Sequence, residues 1–336
     1  MTDCLLFRAA LLSLAVLAGC GSSSEDSAQA GAPKISPVHA VFSLPEVSPD
    51  QGFPAKIKSF NGSTVVLPRA PTRILVGNAS LLDTMVGLVP HTSMVALPST
   101  AFLYSSLKDN PGEWASVPLL AKFEAEPILA AQPDLIVVHS YQVGSTLDRV
   151  IEQEIPVVAF PVVGTWKDIL KEIELMARIV GQEEAGSAVV ESLQRRQRAL
   201  QDSSDRSSLR ILPYANYGTK GSTAGAGTTA QLMIELSGMR NAATEAGLEG
   251  HPNIDYEQLL AIDPDFFLIP VRADQETTSV ETILCETPLL ASLRAVREKR
   301  FLRLPESLYS TASQRVLLAA EAIAEQAEKV ISTETE

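Results

Sequence analysis

The chain has 336 residues, of which 46% are hydrophobic and 20% charged, with a formal net charge of −13 and an isoelectric point near 4.9. That length and balance suit two cores of ordinary size and exclude a disordered or fibrous chain. So acidic a surface repels phosphate backbones and anionic bilayers, which argues against nucleic acid as a partner.

Residues 1–19 read as an export signal. Arg8 precedes an apolar run over 9–18 that is too short to span a bilayer, and small residues lead into Cys20. Leu17-Ala18-Gly19-Cys20 resembles the lipobox of bacterial lipoproteins. The resemblance implies cleavage before Cys20 and a lipid on its sulfur; an ordinary cleaved signal with a chance cysteine is the alternative. Cys4 would leave with the signal, so Cys285 would be the one free thiol, packed or idle, and no internal disulfide is available. Residues 20–50 read as a flexible tether, rich in Ser, Ala, Gly and Pro to about Pro37. No later segment has the length or apolarity of a membrane span.

In chain order, the folded part opens with a hairpin over 57–67, turned at Asn61-Gly62. A buried strand follows over 73–77, then a helix over 81–89, a strand over 94–97 and a loop over 98–120. A strand over 135–138, a helix over 147–153, a strand over 157–160 and a helix over 166–180 closed by Gly181 complete a parallel α/β lobe, residues 51–181. A helix over 183–202 carries Ala188, Val189, Leu193 and Leu200 on a narrow apolar stripe, as a bridge between two bodies needs (linker 182–205). The pattern then recurs over 206–336: a strand over 209–214, a helix over 229–236 capped by Thr228, a strand over 266–269, a helix over 280–293, a strand over 300–304 and a helix over 313–331.

One segment occurs twice. Glu126-Pro-Ile-Leu-Ala-Ala-Gln-Pro-Asp134 leads into Leu135-Ile-Val-Val138, and Glu257-Gln-Leu-Leu-Ala-Ile-Asp-Pro-Asp265 into Phe266-Phe-Leu-Ile269. Each copy reads as a short helix, a Pro-Asp stop and a strand buried on both faces, so the fold class is α/β: two lobes, each a mainly parallel sheet flanked by helices, joined by one long α-helix.

Pro71-Thr-Arg-Ile-Leu-Val76, the first repeat over 126–138, Leu236-Ser-Gly-Met-Arg-Asn241, the second repeat with Asn253-Ile-Asp-Tyr256 before it, and Leu293-Arg-Ala-Val-Arg-Glu-Lys-Arg-Phe301 occur in an order that resembles the substrate-binding proteins of ABC importers. The class is the single-linker-helix one that serves vitamin B12, ferric siderophores and haem. Two places depart from it: Ser313-Gln314-Arg315 stands where Ser-Pro-Arg is common, and the usual Gly-Gly before the asparagine is Ser237-Gly238 with two residues interposed.

The resemblance implies an extracytoplasmic, lipid-anchored, non-enzymatic monomer. Its cargo would be a chelate carrying iron or cobalt, or a large organic molecule, with no resident cofactor apart from the lipid. Its partner would be a permease dimer with its ATPase. It also implies that Glu126 and Glu257 dock to permease arginines, a role suited to rim charges that steer and register an interface. Each glutamate also suits a helix N-terminus, where it would complement the dipole, and Asp255 with Gln258 can cap the second helix without Glu257.

Ligands of open parallel sheets lie beyond the carboxyl ends of the strands. The loops there carry Asn78, Ser99, Thr100, Tyr104, Ser140, Tyr141, Tyr217, Arg272 and Tyr309. Tyrosines suit a large planar or chelated ligand and Arg272 an anionic group on it, the bland reading of each being an ordinary loop side chain. His39, His91, His139 and His251 show no metal-ligand spacing, so a bare metal site is not expected; His139 or Tyr141 at a strand tip remains open as an axial ligand to haem, beside a structural role. Gly225-Ala-Gly-Thr-Thr-Ala230 matches a dinucleotide fingerprint in letters only, because it lies about ten residues past its strand; it reads as a flexible cleft loop. The rival functions are an exported enzyme, for which no acid-base pair can be named, and a surface lipoprotein that keeps this fold for sensing or adhesion.

Overall fold

Each half of the chain is built on runs of Ile, Leu, Val and Phe that only a strand covered on both faces can bury. The computed structural model describes residues 44–47, 52–59, 64–108, 110–162, 164–203, 205–216, 221–272 and 279–335. Cys20, His39, the Asn61-Gly62 turn and Tyr217 lie outside these.

The N-terminal half opens with an antiparallel sheet of β1 (Glu46–Val47), β2 (Ala55–Lys58) and β3 (Thr64–Leu67). Within the segment read as tether, Glu46 and Val47 thus pair with Lys58 and Ile57. Next come β4 (Ile74–Val76), α1 (Ala79–Val86), β5 (Met94–Pro98), α2 (Ala101–Tyr104) and β6 (Leu119–Leu120). The half ends with α3 (Ala125–Ala130), β7 (Leu135–His139), α4 (Ser145–Ile151) and β8 (Val157–Phe160). The sheet order is β6-β5-β4-β7-β8 with all pairs parallel. The stretch expected as a plain loop over 98–120 contains α2, β6 and two 3-10 turns.

Two helices follow, α5 (Trp166–Val180) and α6 (Glu183–Asp202). Gly181 ends the first at φ 70°, a left-handed position, with Gln182 N–H donating to the Ala177 carbonyl at 2.7 Å. The long linker helix α6 packs along α5. Trp166, Ile169 and Ile173 of α5 pack in the C-terminal core, whereas Leu175, Met176, Ile179 and Val180 of the same helix pack in the N-terminal core. On α6, Leu193 is buried and Val189 and Leu200 pack half-buried on the C-terminal core as expected, joined by buried Val190, whereas Ala188 is exposed. Gly186 lets the pair close, because a Cβ there would lie 2.3 Å from that of Ala177.

The C-terminal half contains β9 (Arg210–Pro213), β10 (Ala215–Asn216), β11 (Gly221–Ser222), α7 (Thr229–Leu236), β12 (Arg240–Asn241), α8 (Ala242–Glu245) and β13 (Asn253–Ile254). Then come α9 (Tyr256–Ile262), β14 (Phe266–Val271), α10 (Ser279–Glu286), α11 (Arg294–Arg297), β15 (Phe301–Pro305), α12 (Glu306–Tyr309) and α13 (Val316–Thr335). Its main sheet is parallel in the order β12-β9-β14-β15, and β10, β11 and β13 form a small antiparallel one. The helix expected over 280–293 breaks after Glu286 because Pro288 has no N–H to continue it; a 3-10 turn over Pro288–Ser292 takes its place.

The duplicated segment is duplicated in three dimensions. Asp134 accepts from the Thr72 and Arg73 N–H groups at 2.9 and 2.8 Å, and Asp265 accepts from the Arg210 N–H at 2.9 Å. The guanidinium of Arg73 donates to the carbonyls of Ala131 and Gln132 after α3, and that of Arg210 to those of Ile262 and Asp263 at the end of α9. Each lobe therefore ties a helix C-terminus to the start of its first parallel strand, satisfying carbonyls that a helix end leaves without partners.

Candidate functional site

In both sheets the strand order reverses beside the first strand, between β4 and β7 in one lobe and between β9 and β14 in the other. Crevices of open α/β sheets lie beyond the strand tips at such points. The tips of the two lobes are brought together: α1 and α2, which follow β4 and β5, contact the segment that follows β15 through Asp83–Ser313, Asp83–Gln314 and Tyr104–Arg315 hydrogen bonds.

At the N-terminal switch point Asn78 is saturated. Its Oδ1 accepts from the Ser80 and Leu81 N–H groups as the N-cap of α1, and its Nδ2 donates to Gln142 Oε1 at 2.8 Å and to His139 Nδ1 at 3.1 Å. Gln142 Nε2 donates to the Gly77 carbonyl. Gly77 permits this, since a Cβ there would lie 2.6 Å from the Gln142 amide. Asn78, predicted to touch ligand, instead has all four amide positions committed and holds the loop.

That network also sets the tautomer of His139. Capping pins the Asn78 amide with Nδ2 toward the ring, so Nδ1 accepts and Nε2 carries the proton. The ring is buried, at 2% exposure, and desolvation lowers its pKa to about 4, so it is neutral near pH 7. Nε2 is buried with no hydrogen-bond partner among the described residues. In this arrangement His139 offers a donor N–H and not a lone pair for iron. Its ring lies 5.6 Å from that of Tyr141, which is 66% exposed.

The remaining predicted residues fall as follows. Ser99 and Tyr104 are exposed and Thr100 half-buried on the β5–α2 side, and Arg272 is exposed just past β14. Tyr309 is half-buried against the C-terminal core. Its helix α12 packs on α2, so the Tyr104 and Tyr309 segments meet across the lobes. Among the described residues no cluster of three or more His, Cys, Asp or Glu suits a metal ion.

Glu126 and Glu257 are both exposed in the first turns of α3 and α9. Each helix is fastened by its C-terminus to the start of a strand, so its N-terminus lies toward the strand-tip end. Asp255 and Gln258 cap α9 reciprocally, leaving Glu257 without a capping task. At α3 the N-cap Glu124 makes no side-chain cap, so dipole complementation remains a task for Glu126.

The glycine-rich stretch is pinned where it is described. Gly221 packs on Tyr214, Gly225 packs on the Leu248 backbone, Asn241 donates to the Ala224 carbonyl and Thr228 caps α7, so it is structural from Gly221 onward. Cys285 is exposed, and partial burial with Glu281 nearby raises its pKa, which marks an idle thiol. Reading the chain alone missed Gln142, Asp83 and the two arginines; the Arg-Ile-Leu shared by 73–75 and 210–212 was the available signal for the latter.

Two α/β lobes bridged by a long helix, with segments that follow their strands in contact across the lobes, define the binding-protein fold of ABC importers. The chain belongs to the periplasmic binding protein family, whose profile matches residues 78–308. No curated protein matches it. Among solved structures, the periplasmic haem-binding protein HutB of Vibrio cholerae is similar with a TM-score of 0.67 at 19% identity, over 76% of this chain and 98% of that one. An ABC-type Fe3+-hydroxamate transport system protein of Saccharomonospora viridis gives 0.64 at 22%, over 82% and 99%. The haem-binding protein RhuT of Roseiflexus sp. RS-1 gives 0.61 at 21%, over 76% and 98%. Likeness at such identities establishes the fold.

Proposed function

We propose that this protein is the extracytoplasmic receptor of an ABC importer and that it carries an iron chelate, haem or a ferric siderophore, between its lobes. The observation that carries this reading is the contact between the helices at the strand tips of one lobe and the segment after β15 of the other, with exposed Tyr141 beside the buried His139 ring at the N-terminal switch point. A phenol at the mouth suits stacking on a planar ligand or ligation of ferric iron. Arg272, just past β14 of the other lobe, suits an anionic group on the cargo. Relatives described as haem-binding and as Fe3+-hydroxamate transporting support the chelate class over cobalamin. Glu126 and Glu257 would engage the permease, Cys20 would carry the lipid, and ATP hydrolysis would belong to the partner.

The test is spectral titration of the purified protein with haemin, a ferric hydroxamate and cobalamin, with thermal shift alongside. At 100 times its dissociation constant a true ligand adds about 2.7 kcal/mol. Tyr141→Phe is expected to remove any phenolate-to-iron band, and failure of all three compounds to bind overturns the reading. Intact mass of membrane-extracted protein decides the lipid on Cys20.

A further inference from the structure

The three side chains of Ser313-Gln314-Arg315 join the C-terminal lobe to the N-terminal one at a single place beside the strand tips. Ser313 Oγ donates to Asp83 Oδ2 at 2.8 Å, and Thr311 Oγ1 lies 3.0 Å from the same Ser313 oxygen. The other carboxylate oxygen of Asp83 accepts from the Ser106 N–H at 2.6 Å, so one carboxylate gathers the α2 side of the N-terminal lobe and the C-terminal lobe together. Gln314 Nε2 donates to the Asp83 carbonyl at 2.8 Å and its Oε1 accepts from Thr84 Oγ1 at 3.3 Å. Arg315 Nη1 donates to the Tyr104 carbonyl at 3.1 Å, a cation at the C-terminus of α2, and stands 4.0 Å from Asp83. Asp83 is 3% exposed. Burial raises its pKa, while its hydrogen bonds and Arg315 oppose the rise.

Apolar contact alone would hold the lobes without defining their angle, since the hydrophobic effect has no direction. Hydrogen bonds lose strength steeply off their preferred angles, and a buried carboxylate left without donors is penalised. We propose that Asp83 with Ser313–Arg315 is an interlobe latch that sets the angle between the lobes and so positions Tyr104 and Tyr309 across the cleft. These are positioning residues, acting on cargo through the two tyrosine-bearing segments. The part concerning cargo rests on the function proposed above; the part concerning lobe angle does not.

The test uses the full chain with spin-label amino acids at exposed Glu152 and Glu286, one in each lobe. The unsubstituted latch is expected to give one narrow distance distribution, and Ser313→Ala with Arg315→Gln a broadened one. Ser313→Thr keeps the hydroxyl and is expected to restore the narrow distribution in the single-site comparison with Ser313→Ala. Haemin and ferric hydroxamate are the probes for cargo, and whichever binds is expected to dissociate about tenfold faster from the double variant, a loss of about 1.4 kcal/mol. An unchanged distribution overturns the latch, and a broadened one with unchanged dissociation overturns its positioning role. If neither chelate binds the parent protein, the cargo reading fails while the distance distribution still decides the latch.

Discussion

Glu172 lies on α5 beside Ile173, the last residue of that helix in the C-terminal core, and only 3% of it is exposed. Its Oε2 has no hydrogen-bond partner among the described residues, and desolvation raises its pKa from 4.5 to about 8. The folded protein therefore keeps a proton that the unfolded chain releases above pH 4.5. The stabilising form is fully present below the unfolded pKa, and stability is lost as pH rises toward and through the folded one. Linkage over those two values gives a loss of about 3 kcal/mol between about pH 5 and 7.5. Glu172→Gln keeps the shape and removes the titration. Urea unfolding of both proteins at half-unit pH steps should show the parent falling relative to the variant by that amount, with the steepest difference above the unfolded pKa. A difference that stays flat to within about 0.5 kcal/mol across the range would refute the claim that a neutral carboxyl is buried there.

Removing the paired strand clamps should cost stability unequally. Arg73→Ala is expected to cost about 1 kcal/mol, and Arg210→Ala about 2, because Arg210 also pairs with Glu245 at 2.8 Å; denaturant midpoints measure both. Gly77→Ala displaces only the Gln142 side-chain amide, so it should cost about 1 kcal/mol and perturb the His139 ring signals by NMR. Gly225→Ala places a Cβ 2.0 Å from the Leu248 carbonyl oxygen, a backbone atom, and should cost about 3 kcal/mol. Charge reversal at Glu126 and Glu257 together should stop uptake in a reconstituted transporter while leaving cargo affinity unchanged; weakened affinity would move both residues out of the docking role.

Local signals were legible wherever local physics decides. Gly181 closes α5, Thr228 caps α7 and Asp255 with Gln258 caps α9, because these contacts lie within one helical turn and their residue types suit few other tasks. The doubled Glu-to-Asp segment announced two like lobes because a buried strand needs an unbroken apolar run, and such runs stand out in any sequence. The roles at the cleft were not legible. Asn78 looks like a free strand-tip amide until β4 and β7 are side by side, when His139 and Gln142, more than sixty positions away, take its donors. Ser313-Gln314-Arg315 looks like a helix start; the described helix begins only at Val316, because the three side chains are spent 230 positions back on Asp83 and its neighbours. Propensity and periodicity act over a few residues, so the sequence alone determined the long buried strands, most of the longer helices and that there are two lobes, but not the short elements over 98–120 or the break at Pro288. Strand order brings distant loops together, and only the tertiary structure decided which polar groups are consumed in holding the cleft and which are left to meet cargo.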